Sequence, residues 1–140
     1  MHQAPSTILA LDVGMVRIGV ARASTVARLA EPLTTLPHTP EIYQEIADLC
    51  KEHGARIVVV GLPRGLEGQH TGQTDYVEDF VEELKRQSKL TVVVQDEALT
   101  SRKAEAELAN RRKAYHREEV DALAATYILE DYLAEHGGDL

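Results

Sequence analysis

The sequence predicts an α/β fold: a mixed β-sheet of three antiparallel strands followed by parallel strands, flanked by α-helices. Three observations predict it. The apolar run Ile8 to Val13 resumes at Ile18 to Ala21 after a turn bearing Gly14, as the two arms of a hairpin do. Arg56 to Gly61 is a β-branched run closed by glycine, followed by apolar residues at helical spacing and then a second apolar run, Leu90 to Gln95. That is the order of a βαβ crossover between parallel strands. Aliphatic side chains dominate the 44% hydrophobic content, with aromatics at only 4%, which suits a Val, Ile, Leu and Ala core between strands and helices.

Ile8 to Val13 is continuously apolar rather than alternating, so it reads as a strand buried on both faces, with Ile18 to Ala21 as its hairpin partner. A third extended piece is expected from Val26 to Leu36, where Pro32 argues for an edge position or a bulge. Pro40 then suits the first turn of a helix capped by Thr39, and Ile42, Ile46, Leu49 and Cys50 recur at helical spacing up to a stop at Gly54. Cys50 on that stripe reads as a small buried hydrophobe. Arg56 to Gly61 is expected to be a central strand covered on both faces. LPRGLEGQHTG follows as a loop, and Val77, Phe80, Val81 and Leu84 mark one face of the next helix. Leu90 to Gln95 ends in Asp96-Glu97. Helices are expected over Leu99 to Asn110 and about Arg117 to Ala134, the latter with Val120, Leu123, Ala124, Tyr127, Ile128 and Tyr132 inward. The order is βββαβαβαα, read as one domain over 1–140 with its core in about 7–134 and HGGDL as a frayed tail.

One cysteine excludes a disulfide framework and a thiolate metal site. No run has the length of a membrane span or the pattern of a secretory leader, so a reducing cytoplasm is the expected address. A formal charge of -8 argues against a broadly basic surface. From Arg102 to Arg117, however, six Lys or Arg (Arg102, Lys103, Arg111, Arg112, Lys113, Arg117) face Glu105 and Glu107, a local +4 that leaves -12 elsewhere. The run Arg111-Arg112-Lys113 with Tyr115, His116 and Arg117 is either a solvated interhelical loop or a set of phosphate-backbone contacts.

Three carboxylates stand at ends of elements: Asp12 at the end of the first strand, Glu97 just past the last, and Asp121 early in the last helix. Converging there, they would offer the oxygen ligands that hard divalent ions prefer, and such ions hydrolyse phosphodiesters. Taken singly, Asp12 fits an Asx-type turn, Glu97 a surface position and Asp121 a first-turn carboxylate favoured by the helix dipole. Spacing alone leaves both readings open. Arg17, close after Asp12, would pair with a phosphate or a carboxylate, or stand in solvent. The loop from Gly61 to Gly72 lacks the Gly-Lys-Ser/Thr ending of a nucleotide-binding loop and reads as a substrate-side loop. Thr100 and Ser101 suit the cap of the helix that follows, and the remaining histidines carry no ligand spacing.

DVGMVRIGVA, VVVGLPRGLEG, VVVQDEALTSRKAEAEL and VDALAATYIL occur in that order, and together they resemble the YqgF/RuvX family of ribonuclease H-like proteins over about Ile8 to Leu133. The resemblance implies a ribonuclease H-like domain and a nuclease for the 5′ end of the small-subunit ribosomal RNA precursor, also described as similar to Holliday junction resolvases. It places the family's acidic triad on Asp12, Glu97 and Asp121, implying that all three bind Mg²⁺ or Mn²⁺ and that water attacks in line to leave a 5′-phosphate. Three departures stand out: Met15 replaces a small polar residue, Gly65-Leu66-Glu67-Gly68 replaces N-M-D-G, and Ala98 replaces the arginine of D-E-R-L-T. None touches the triad. The expected partner is nucleic acid, RNA in preference to branched DNA, met by Arg17, Arg102, Arg111, Arg112, Lys113 and Arg117, with no membrane. The alternatives are a junction resolvase, which needs a homodimer, and a catalytically weak assembly factor that only binds nucleic acid.

Overall fold

The computed structural model describes residues 6–97 and 117–137. Strands β1 (Thr7–Val13), β2 (Arg17–Ser24) and β3 (Glu31–Pro37) precede helix α1 (Ile42–His53); then come β4 (Ala55–Pro63), α2 (Gly72–Gln87), β5 (Thr91–Glu97) and α3 (Arg117–His136). The five strands form one sheet in the order β3-β2-β1-β4-β5. β1 pairs antiparallel with β2 and β2 with β3, whereas β1–β4 and β4–β5 are parallel, so the mixed sheet predicted from the sequence is the one found. The helix expected over Leu99 to Asn110 lies outside the described residues.

The two-residue period of the strands divides the core between two faces. Leu9, Leu11, Val13, Ile18, Val20, Val58, Val60 and Leu62 pack against Ile42, Ile46 and Cys50 of α1 and Val77, Phe80, Val81 and Leu84 of α2. Ile8, Ala10, Ala21, Ala23 and Val59 point the other way and meet Ala125, Ile128, Leu129 and Tyr132 of α3. Each fully buried aliphatic side chain contributes roughly 1.5–3 kcal/mol, so both layers are needed to hold the central strands dry.

Several boundaries and one helix face depart from the sequence reading: β4 runs two residues past Gly61 to Pro63, and β5 runs on to take in Glu97, which was expected just past its end. Val26 to Ala30 is not part of β3: the Ser24 hydroxyl accepts from the main-chain N–H of Val26 (3.0 Å) and Ala27 (3.2 Å), and this local turn outcompetes an extended chain. Thr39 and Pro40 precede α1 instead of opening it; Thr39 Oγ1 accepts from Glu41 N–H in the preceding turn, and Glu41 is the cap residue. β2 runs on to Ser24. In α3, Ala125 and Leu129 meet the sheet, whereas Leu123 and Tyr127 are half-buried beside Val120 and Ala124. Pro32 does lie on an edge strand, next to a register shift at Val20/Ala21, and Gly54 ends α1 with φ 68°.

Candidate functional site

Asp12 faces α3, as Ile8 and Ala10 do on the same strand. Across the sheet its row reads Thr35, Gly19, Asp12, Gly61, Gln95: Gly19 pairs with Asp12 and with Thr35, Gly61 pairs with Gln95, and Val60 lies beside Leu11. The aspartate is thus flanked on both sides by residues without side chains. At Gly19 a Cβ would lie 1.9 Å from the main-chain oxygen of Asp121, and at Gly61 one would lie 2.4 Å from Cδ1 of Ile128. These two glycines let α3 sink onto the sheet, which carries Asp121 to the side of Asp12. Thr35 Oγ1 adds a 2.8 Å hydrogen bond to the carbonyl of Glu118, fixing the start of α3 over β3.

The electrostatics follow from this proximity. Burial, and then the charge of Asp121, push the Asp12 carboxyl from 3.8 up to about 7. Arg17, the first residue of β2, donates from Nε to Oδ2 of Asp121 at 2.7 Å, with both side chains largely covered. Of the readings open for Arg17, pairing with a carboxylate is the one found. The guanidinium sits against Asp121, while burial raises the affinity of Asp12 for a proton. Such a pair of oxygen donors, one of them neutralised only by protonation, is chemically suited to a hard divalent cation.

Glu97 ends β5 on the same face as Val93 and Gln95, half-buried, one pleat beyond the Asp12 row and two strands away, roughly 10 Å in strand spacings. Asp12 and Asp121 are brought together; Glu97 flanks them at the same end of the sheet without joining them in a close trio. Among the described residues the trio of potential ligands whose donor atoms all fall within 4.8 Å is His70, Asp75 and Glu78. All three are exposed, and Asp75 lies in the first turn of α2, where a carboxylate is favoured by the helix terminus without any ion.

The loop after β4 is bound to itself and to the end of β5. Gly65 N–H donates to the Gln69 carbonyl (2.9 Å), Arg64 N–H to the Glu97 carbonyl (2.8 Å), and Arg64 Nε to Oδ1 of Asp96 (3.2 Å). It therefore borders the carboxylate end of the sheet. Arg102, Arg111, Arg112 and Lys113 lie outside the described residues, as do Ala98, Thr100, Ser101 and Tyr115, and the Arg117 side chain with them. Sequence reasoning missed Gly19 and Gln95 and counted Gly61 as the start of the following loop, although it lies inside β4. Single glycines inside strand patterns at 19 and 61 were the available signal for a close backbone approach.

The family model described as a Holliday junction resolvase, RuvX, matches residues 6–135. The chain belongs to the RuvX family. A protein of Chloroflexus aggregans named "Putative pre-16S rRNA nuclease" is 47% identical over 131 residues, covering 91% of this chain and 92% of that protein. One of the same name from a Sulfurihydrogenibium species is 36% identical over 130 residues, covering 91% and 90%. Among solved structures, RuvC of T. thermophilus in complex with a Holliday junction substrate aligns with TM-score 0.53 at 14% identity, over 94% of this chain and 96% of that one. The fowlpox virus Holliday junction resolvase aligns with TM-score 0.50 at 11% identity, over 96% and 99%. These two likenesses establish that this RuvX-family chain has the RuvC-like, ribonuclease H-like fold.

Proposed function

We propose that this RuvX-family protein is a divalent-metal-dependent nuclease that hydrolyses phosphodiester bonds in the 5′-end maturation of precursor small-subunit ribosomal RNA. The observation that carries the reading is the Asp12–Asp121 pair, set in a glycine-lined row at the end of the central strand with the Asp12 carboxyl pushed up to about 7. The relatives' name supplies the substrate class. Asp12 and Asp121 would hold Mg²⁺ or Mn²⁺, with Glu97 flanking them at the same end of the sheet. The bound ion supplies Lewis-acid polarisation of the phosphate and a more acidic water.

The chain's own residues do the rest. Asp12 and Asp121 fix where the cation would sit relative to the sheet, and Glu97, at the rim beside the Arg64–Gln69 loop, would orient the attacking water. Water's oxygen bonds to phosphorus, the bond to the 3′-oxygen breaks, and a 5′-phosphate and a 3′-hydroxyl result. Arg17, paired with Asp121, keeps a cation beside the site, while Arg102, Arg111, Arg112, Lys113 and Arg117 are the cations that would track the backbone without reading bases. A reduced, buried Cys50 accords with action in the cytoplasm. No described helix is long and apolar enough to cross a membrane.

A second reading, cleavage of branched DNA, is favoured by the family's description, and it would require a homodimer to set two sites on opposed strands. The experiment is cleavage of labelled precursor-type RNA, linear DNA and a four-way DNA junction with Mn²⁺, Mg²⁺ or chelator. The proposal expects metal-dependent cleavage of the RNA in preference to both DNAs. Junction cleavage by a dimer would establish the second reading. Binding of RNA that survives chelator, with no cleavage of any substrate, would leave an assembly factor.

A further inference from the structure

The hairpin that carries Asp12 and Arg17 ends in a tip with little to hold it. Met15 and Val16 are 71% and 68% exposed, and the turn's own closure is one bond from Gly14 N–H to the Arg17 carbonyl at 2.9 Å. Two residues upstream of that bond stands Asp12, and Arg17 itself holds Asp121. A loose turn would therefore disturb both partners of the carboxylate pair.

His38, just past the end of β3, grips this turn twice. Its main-chain N–H donates to the Val16 carbonyl at 2.9 Å, and its ring Nδ1 lies 2.7 Å from the Gly14 carbonyl oxygen. A carbonyl only accepts, so Nδ1 carries the hydrogen, in the neutral ring as in the charged one. The Tyr76 hydroxyl oxygen lies 3.1 Å from the same nitrogen, a longer second acceptor for that one hydrogen, and the ring packs edge-on against Phe80 at 5.6 Å between centroids. Tyr76 and Phe80 both belong to α2. The imidazole is half-buried in a cleft of about 250 Å³ that Tyr43 and Asp79 complete. It thus bridges α2 on one face of the sheet to the turn whose side chains work on the other.

We propose that His38 is a positioning residue for the metal-binding carboxylates: through Nδ1–H it fixes the Gly14–Arg17 turn, and so the placement of Asp12 and Arg17, with Phe80 packed edge-on against the ring. The inference rests on the nuclease reading for its consequence in catalysis, though the hold on the turn stands without it. Asparagine places an amide N–H near the position of Nδ1, whereas glutamine places one near Nε2, so the two substitutions separate hydrogen bonding from bulk.

The test compares wild type, His38→Asn, His38→Gln and His38→Ala by amide exchange at Gly14 and by kcat and KM for Mn²⁺-supported RNA cleavage, with thermal melting as the check on folding. His38→Asn is expected within about twofold of wild type in both readouts, and His38→Gln to lose about tenfold in Gly14 protection and in kcat with KM unchanged, the worth of one well-placed hydrogen bond. Equal behaviour of the Asn and Gln variants, or unchanged Gly14 protection in the Gln variant, would overturn the proposal. Should the Gln variant fail to fold, His38→Ala decides: a drop of about tenfold in Gly14 protection relative to His38→Asn supports the clamp, and protection equal to that of His38→Asn refutes it. A wild type that cleaves nothing defeats the nuclease reading instead, and Gly14 exchange alone then judges His38.

Discussion

Asp12 is placed where a carboxylate is least comfortable, at the end of a central strand with a second acid beside it, and its proton affinity records the conflict. The folded carboxyl titrates near 7 and the unfolded one near 3.8, so between those values the folded state binds more protons and stability falls as pH rises. Below about pH 4 the penalty is absent, and above about pH 7 it is complete. Asp12→Asn, near-isosteric with the protonated acid, is therefore expected to match wild type at about pH 4 and to be more stable by on the order of 4 kcal/mol above about pH 7 in metal-free protein. Urea unfolding at the two pH values measures this, and a gain that shrinks with rising pH would contradict it. Arg17→Gln makes the complementary case. Loss of the 2.7 Å pair with Asp121 is expected to cost about 1 kcal/mol without metal, and added Mn²⁺ should raise the melting temperature more in the variant than in wild type. Asp12, Glu97 and Asp121 were legible in the sequence as acids at element ends, whereas the bond from Arg17 to Asp121 spans 104 positions and no local pattern encodes it.

What brings the acids together is the fit of α3 on the sheet. A methyl group at position 19 would strike a main-chain oxygen, which no side-chain rotation can move, so Gly19→Ala must lift α3 from β2. The expected loss is about 3 kcal/mol, with the Asp12 carboxyl returning toward its ordinary range as Asp121 recedes and water enters. Gly72→Ala, where a Cβ meets nothing, is the control and should change stability by less than about 0.5 kcal/mol. Denaturant unfolding and an NMR titration of Asp12 read both effects. Continuous aliphatic runs made β1 and β4 legible to within a few residues, because strands covered on two faces leave little ambiguity, and the same kind of run marked β5 although Val94 on that edge strand is 44% exposed. The start of β3 was misread because Val26 and Leu29 are apolar yet 70% and 77% exposed; local bonding at Ser24, not burial, sets the chain there. The inward face of α3 was only half legible. Apolar residues nearly surround that helix, and the choice of Ala125 and Leu129 over Leu123 and Tyr127 is made by the sheet's small-residue row.

Across the whole molecule the charge is divided, with -12 outside a segment of +4 between Arg102 and Arg117. If that segment meets the phosphate backbone, changing Arg111, Arg112 and Lys113 together to Gln should weaken binding of all RNA sequences alike. It should also lower the slope of log affinity against log salt by about 2, as the loss of three single-strand phosphate contacts requires. A fluorescence titration at several salt concentrations gives that slope. The placement of a metal at Asp12 and Asp121 has a rival within the same chain, the exposed His70, Asp75 and Glu78. The most direct measurement is Mn²⁺ binding by electron paramagnetic resonance to wild type, Asp12→Asn, Asp121→Asn and His70→Ala at about pH 8, where Asp12 is ionised. Loss of at least about tenfold in affinity in both aspartate variants, with His70→Ala unchanged, is the expected result. Binding that survives in both aspartate variants and disappears in His70→Ala would contradict it.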